Sequence, residues 1–271
     1  MAYRLLAVDL DGTLLRHDKR VDERDISAIR ELAATGVTVT IVTGRLRSGS
    51  EAAARATGIV GPIACIEGSH IVDVSTGKTH AHHPMSHEVT ELLRGTFAEH
   101  GLTSFVFGAD GIHHDASGAP FTRYVDTWSP TLLQVEDAHH ADVWANEPLA
   151  GVAIGDAEPI AAAYAKLQGR GLFSVAFPIY NIAGKHAILA RAAGPTKGTA
   201  LAELCRMTGC TLADAVAVGD WVNDVPMFEV AGRSFVMGHA PEHVRVKASD
   251  HLERVAGSGG GIAEAIRRAW G

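Results

Sequence analysis

A short apolar run, Tyr3 to Val8, ends in Asp9-Leu10-Asp11-Gly12-Thr13, and this junction constrains the fold more than any other stretch of the chain. The run is long enough for a buried strand and too short to cross a bilayer. Side chains alternate along a strand, so Asp9 and Asp11 are expected to point the same way where the strand ends. Two converging carboxylates repel and raise each other's pKa. A cation or a shared proton relieves that cost, and both are instruments of catalysis. Gly12 frees the backbone for a tight turn. The competing reading is a plain Asp-Gly turn after a strand, and the rest of the chain decides between the two.

The alternation that follows gives the fold class. Asp22 is placed to cap a helix carrying Ile26, Ile29 and Leu32 at helical spacing, closed by Gly36. Val37 to Val42 is a β-branched run suited to a buried strand, an alanine-rich helix reaches Gly58, and Pro62 to Ile66 forms a third strand. Strand and helix in turn predict a parallel sheet with right-handed crossovers. From His82 the character changes. A helix starts at Ser86, and short strands are predicted over Ser104–Phe107, Phe121–Val125, Leu132–Val135, Gly151–Ile154, Phe173–Phe177 and Ala187–Ala190, with a helix opening at Glu158-Pro159. Near residue 190 the first style returns, with a helix from Lys197 to Gly209, strands over Ala215–Val218 and Ser234–Met237, and a last helix over Ile262–Trp270. The expected architecture is an α/β, Rossmann-like parallel-sheet core over 1–81 and 190–271, with an α+β domain inserted at 82–189. A length of 271 residues accommodates both.

Four patches lie at predicted strand ends, where open α/β sheets bind ligands. Asp9 and Asp11 are the first. Thr43-Gly44-Arg45 follows Val42 and combines a hydroxyl, a residue that lets N–H groups approach, and a guanidinium, which suits an anion, although Thr-Gly after a strand also serves as an ordinary turn. Lys197-Gly198 opens a helix, where the ammonium joins the positive helix end; a solvated surface lysine is the alternative. Gly219-Asp220-Trp221-Val222-Asn223-Asp224 adds two acids four residues apart, close to one face if a helix begins here. They suit a hard cation such as Mg²⁺, or serve simply as a cap and a helix-start acid.

A net charge of −7 without a basic stripe excludes nucleic acid and anionic membrane as main partners. It leaves room for an anionic small molecule, because one metal ion and a few donors reverse the field locally. Three cysteines, Cys65, Cys205 and Cys210, make no disulfide framework, and with no signal peptide apparent a cytoplasmic protein is expected. The paired histidines His113-His114 and His139-His140 would face opposite ways in a strand and chelate poorly; with His80, His82 and His83 they read as solvated or hinge residues. Arg123, Tyr124 and Trp128 are read as packing and surface groups or as readers of a leaving group.

Taken together and in this order, the patches resemble the haloacid dehalogenase-like superfamily of phosphotransferases. In that resemblance DLDGT is the nucleophile motif, Thr43 opens the second motif, Lys197 is the third and GDWVND the fourth. The single insertion looks like a type II (C2) cap. Lys197-Gly198 and Val236-Met-Gly-His-Ala240 are similar to the Cof-type branch, rich in sugar-phosphate and small phosphoester phosphatases. The resemblance implies that Asp9 attacks phosphorus to form an aspartyl-phosphate, while Asp11 protonates the leaving oxygen and then deprotonates water. It implies Mg²⁺ held by Asp9, the Asp11 carbonyl, Asp220 and Asp224. It implies phosphoryl oxygens held by Thr43, Gly44, Lys197 and Asn223, with Arg45 open to substrate. The substrate would be a small phosphorylated metabolite, a sugar or polyol phosphate, and the enzyme a monomer or homodimer. A phosphomutase of the same superfamily and a non-catalytic phosphoacceptor or sensor are the competing functions. Two features depart from the pattern: Glu67-Gly68-Ser69-His70 stands where an Asn-Gly-Ala-like turn is usual, and Trp221 is bulky, either covering the core or narrowing the site.

Overall fold

A computed structural model of the chain describes residues 3–271. They divide into two compact units, one formed by the chain up to Ala81 together with Pro195–Gly271, the other by His82–Gly194. The first unit opens with β1 (Leu5–Val8), α1 (Glu23–Ala34), β2 (Thr38–Ile41), α2 (Arg47–Thr57), β3 (Pro62–Cys65), β4 (His70–Asp73) and β5 (Thr79–His82). The second carries α3 (His87–Glu99), β6 (Thr103–Phe107), β7 (Ile112–His114), α4 (Thr122–Val125), β8 (Leu132–Gln134), α5 (Ala141–Ala145), β9 (Ala150–Asp156), α6 (Ala157–Leu167), β10 (Leu172–Pro178) and β11 (Lys185–Ala192). The first unit is completed by α7 (Lys197–Thr208), β12 (Ala215–Gly219), α8 (Val225–Val230), β13 (Arg233–Val236), α9 (Glu242–Arg245), β14 (Asp250–His251) and α10 (Gly261–Trp270).

The first unit is an α/β sandwich. Its main sheet runs β14-β13-β12-β1-β2 with every pairing parallel. The central β1 is buried on both faces, as a parallel strand flanked by helices must be. Leu6 and Val8 face Ile29 and Leu32 of α1, Ala53 and Ala54 of α2, and Ile262 and Ala265 of α10. Leu5 and Ala7 face Leu201 and Leu204 of α7 and Met227 and Phe228 of α8. Each such leucine buried contributes about 2 kcal/mol. Caps set the helix limits: the Asp22 carboxylate accepts from the Arg24 N–H ahead of α1, and Gly58 ends α2 in the left-handed region. The third predicted strand, however, does not extend the main sheet. β3 meets the end of β2 at one bridge, Val42 to Ala64, and pairs antiparallel with β4 in a separate three-stranded sheet with β5. Pro62 opens β3 without an N–H for a ladder, and its carbonyl accepts instead from the Thr40 hydroxyl.

The second unit is α+β. Its six-stranded sheet runs β10-β11-β9-β6-β7-β8, with Leu93 and Phe97 of α3, Trp144 of α5 and Ile160 of α6 in its core. Two expectations differ from what is found. Phe121–Val125 is not a strand: a 3₁₀ turn over Ala116–Phe121 runs into α4. The Asp115 carboxylate caps that turn through the Ser117 N–H, and Tyr124 meets Trp128 edge-on at 5.3 Å, one helical turn away. The aromatic, β-branched composition of the segment is overridden by this local capping. The boundary expected at residue 190 moves to Pro195, because β11 continues to Ala192 while paired to both β9 and β10. Among the described residues no helix is long and apolar enough to cross a membrane.

Candidate active site

The site grows from three neighbouring strand ends. Val8 stands beside Val218 on one side and Ile41 on the other. The Asp9 N–H donates to the Val218 carbonyl at 3.0 Å, and the Val42 N–H to the Val8 carbonyl at 2.9 Å. Asp9, Thr43 and Asp220 therefore leave the same carboxyl edge of the sheet. Asp9 is buried, but the Asp11 side chain is half exposed. The strand stops at Val8, so its alternation does not reach Asp11, and the two acids meet different partners, Lys197 for Asp9 and Arg45 for Asp11.

Lys197 is the first residue of α7. Thr196 caps that helix through the Thr199 N–H, while the Thr199 hydroxyl accepts from the Thr196 N–H, a reciprocal capping box. A side chain on the next residue, Gly198, would stand 2.4 Å from the Pro226 carbonyl oxygen, so only glycine lets α7 start this close to α8. The Lys197 ammonium is completely buried, 2.6 Å from Asp9 Oδ1 and 2.6 Å from Asp224 Oδ1. It is not a solvated surface lysine. Burial alone would push its pKa down, but Asp224, Asp9 and Glu67 together more than offset that and hold it well above the usual lysine range. Asp9 is raised well above the carboxylate range, first by burial and then by Asp224 and Asp220, against the pull of Lys197.

Asp220 and Asp224 meet in a different way from the one their spacing suggests. Asp220 lies in the loop after β12, and Asp224 closes a 3₁₀ turn over Val222–Asp224. They do not share a helix face. Asp224 Oδ2 accepts from the N–H groups of Asp220 and Trp221 at 2.8 and 3.0 Å, folding the loop back on itself. The Asp220 carboxylate is held at both oxygens, by the Thr13 hydroxyl on Oδ1 at 3.0 Å and by His239 Nε2 on Oδ2 at 3.2 Å. Thr13 and His239 were not singled out from the sequence; the Thr at the end of DLDGT and the His of MGHA were the available signals. Trp221 is 52% exposed and does not cover the core.

The second patch is divided in its roles. Thr43 is fully buried, and its hydroxyl accepts from the Arg45 N–H at 3.2 Å. Arg45 is turned onto Asp11 rather than left open: Nε donates to Oδ2 at 2.7 Å, Nη2 to Oδ1, and Nη1 to the Gly49 carbonyl at 3.1 Å. Such a bidentate pair fixes both side chains. Glu67, in the left-handed region at φ 57°, donates its N–H to the Thr43 carbonyl and accepts from Asn223 Nδ2 at 2.9 Å. Its Oε1 lies against Gly44, 2.7 Å from where a β-carbon would be. Glu67, which departs from the expected turn, thus holds Thr43 through its N–H and Asn223 through its carboxylate.

Asp9, Asp220 and Asp224 offer oxygens within 4.8 Å of one another, all on buried residues. An all-oxygen set suits a hard cation. Three buried carboxylates stand beside a single ammonium, so ionising all three is costly, and a divalent cation would relieve that cost. The residues present therefore fit a metal ion, and the Asp11 carboxylate, occupied by Arg45, stands outside the group.

The chain matches the family model of haloacid dehalogenase-like hydrolases over residues 6–266. It is 28% identical over 242 residues to the HMP-PP phosphatase of Yersinia pseudotuberculosis, covering 88% of this chain and 85% of that one. A haloacid dehalogenase-like hydrolase from Bacteroides thetaiotaomicron has the same fold at a TM-score of 0.84 and 22% identity, covering 98% of this chain and 99% of that one. A sugar phosphatase of HAD subclass IIB matches at a TM-score of 0.80 and 17% identity, covering 98% of each chain.

Proposed function

This chain belongs to the haloacid dehalogenase-like hydrolase family and is a phosphoric monoester hydrolase, and from that premise we propose that it is a Mg²⁺-dependent phosphatase of small phosphomonoesters that works through a phosphorylated Asp9. The observation that carries this reading is the surround of Asp9: a buried ammonium on one oxygen and two further carboxylates within ligand distance.

In the first step an Asp9 carboxylate oxygen bonds to phosphorus as the bond to the leaving oxygen breaks, and Asp11 supplies that oxygen with a proton. In the second, Asp11 takes a proton from water, which attacks phosphorus and frees Asp9 and inorganic phosphate. Phosphoryl transfer asks mainly for positioning and charge neutralisation. Lys197, the Thr43 hydroxyl, the Gly44 N–H and Asn223 hold the phosphoryl oxygens. Asp9, the Asp11 carbonyl, Asp220 and Asp224 would hold Mg²⁺, which when bound keeps Asp9 ionised and offsets phosphoryl charge. Arg45 engages both Asp11 oxygens, so the acid step begins with that pair opening. The inserted unit is read as the cap domain of a C2-type phosphatase. Sugar and polyol phosphates are the substrate class, which the subclass IIB likeness supports; the Yersinia relative puts HMP-PP on the list to test.

The test is phosphate release over a phosphometabolite panel with Mg²⁺ and with EDTA, with D9N and D11N beside the parent. The reading requires turnover that EDTA abolishes and that both variants lose by at least about a hundredfold. Retained turnover in D9N rejects the covalent route.

A further inference from the structure

Asp220 reaches the carboxylate cluster from a loop, and a loop residue needs outside support to hold one orientation. Thr13 supplies it at Oδ1; the support at Oδ2 is an imidazole outside all four patches. The His239 ring is itself fixed from behind, because the Ala256 N–H donates to Nδ1 at 3.3 Å. A ring nitrogen that accepts carries no proton, so the proton of the neutral ring sits on Nε2, facing Asp220. The backbone that presents the ring is held on both sides of Gly238. The Met237 N–H donates to the Gly219 carbonyl at 3.0 Å, and the Gly238 N–H to the Arg254 carbonyl at 2.9 Å. His239 is thus built between the loop carrying Asp220 and the segment leading to α10.

We propose that His239 is a positioning residue, a neutral imidazole whose Nε2–H holds Asp220 in the orientation a bound divalent cation requires. The assignment rests on the metal reading above. Outer hydrogen bonds of this kind orient ligating carboxylates, and their removal weakens metal affinity by about 10- to 100-fold. His239 touches Asp220 and not the reacting atoms, so its loss is read in metal binding before it is read in rate.

The experiment is calorimetric titration of Mg²⁺ into the metal-free full chain, comparing the parent with H239Q, H239M and H239N, with thermal melts in EDTA alongside. Gln and Met have the same reach, and both give up the Ala256 contact; only Gln puts an N–H where Nε2 stood. Asn keeps an acceptor for Ala256 but is too short to reach Asp220. H239Q is expected to bind Mg²⁺ within about threefold of the parent, and H239M and H239N about tenfold or more weaker, in the range found for such outer contacts. Equal affinity in H239Q and H239M, or parent-like affinity in H239N, overturns the assignment and leaves the metal reading standing. No saturable heat from the parent overturns the metal reading and the assignment with it. If the metal-free melt of H239M or H239N drops while its affinity holds, His239 is structural and the proposal is overturned.

Discussion

The Lys197 ammonium touches Asp9 at 2.6 Å across 188 residues of sequence, with neither side chain appreciably exposed. An ion pair this deep is costly to assemble and more costly to break, since the surviving partner stays buried without compensation. The pair fixes which oxygen of Asp9 is engaged and leaves the carboxylate its other oxygen.

Replacing Asp9 by Asn keeps the shape of the side chain and removes its nucleophilic charge. Phosphate release in D9N should fall at least about a hundredfold, or about 2.7 kcal/mol of barrier. Steady-state kinetics with saturating Mg²⁺ measure it, and a mass increment of one phosphoryl group on the parent alone, in acid-quenched samples, identifies the acceptor.

Removing the ammonium should unmask the cost of the carboxylates. K197M is expected to lose about 3–5 kcal/mol of stability in EDTA, read by urea unfolding at pH 8. Asp9 is already raised by burial and by its acidic neighbours, and a protonated Asp9 needs no counter-ion. The loss should therefore shrink as the pH falls; a loss that grows towards acid would contradict the arrangement.

Gly12 combines φ +80° with a close approach: a β-carbon there would stand 2.3 Å from Asp220 Oδ2. G12A should cost about 1–3 kcal/mol in stability from backbone strain and contact. It should also weaken Mg²⁺ binding, because Asp220 has to move. Calorimetric titration beside a urea melt separates the two effects.

Asp250 is the cleanest acid switch in the first unit. Hydrogen bonds from Arg233, with its charge and that of Arg268, hold the carboxyl below its ordinary range. A folded pKa below the unfolded one contributes stability that is present above the unfolded value, near 3.9, and is lost as pH falls through the folded one. D250N should cost about 1–2 kcal/mol at pH 7. The difference from the parent should close as pH falls below the unfolded value and through the lower folded one, followed by urea unfolding over a pH series.

Much of this molecule was legible along the chain. Strand runs ending in Asp9, Val42 and Val218, the cap at Asp22, and the change of pattern at His82 are local signals, because periodicity and capping act over a few residues. They sufficed for the layered α/β core. They failed where local signals compete, at Phe121–Val125, and where strand direction depends on a distant partner, at β3. What only the tertiary structure decided is who touches whom: Arg45 with Asp11, Asn223 with Glu67, and Thr13 and His239 on the two oxygens of Asp220. Those contacts are set by strand register, by loop closure and by how closely α7 can approach α8. Each of these sums many weak packing terms over residues far apart in sequence, and no local pattern encodes that sum.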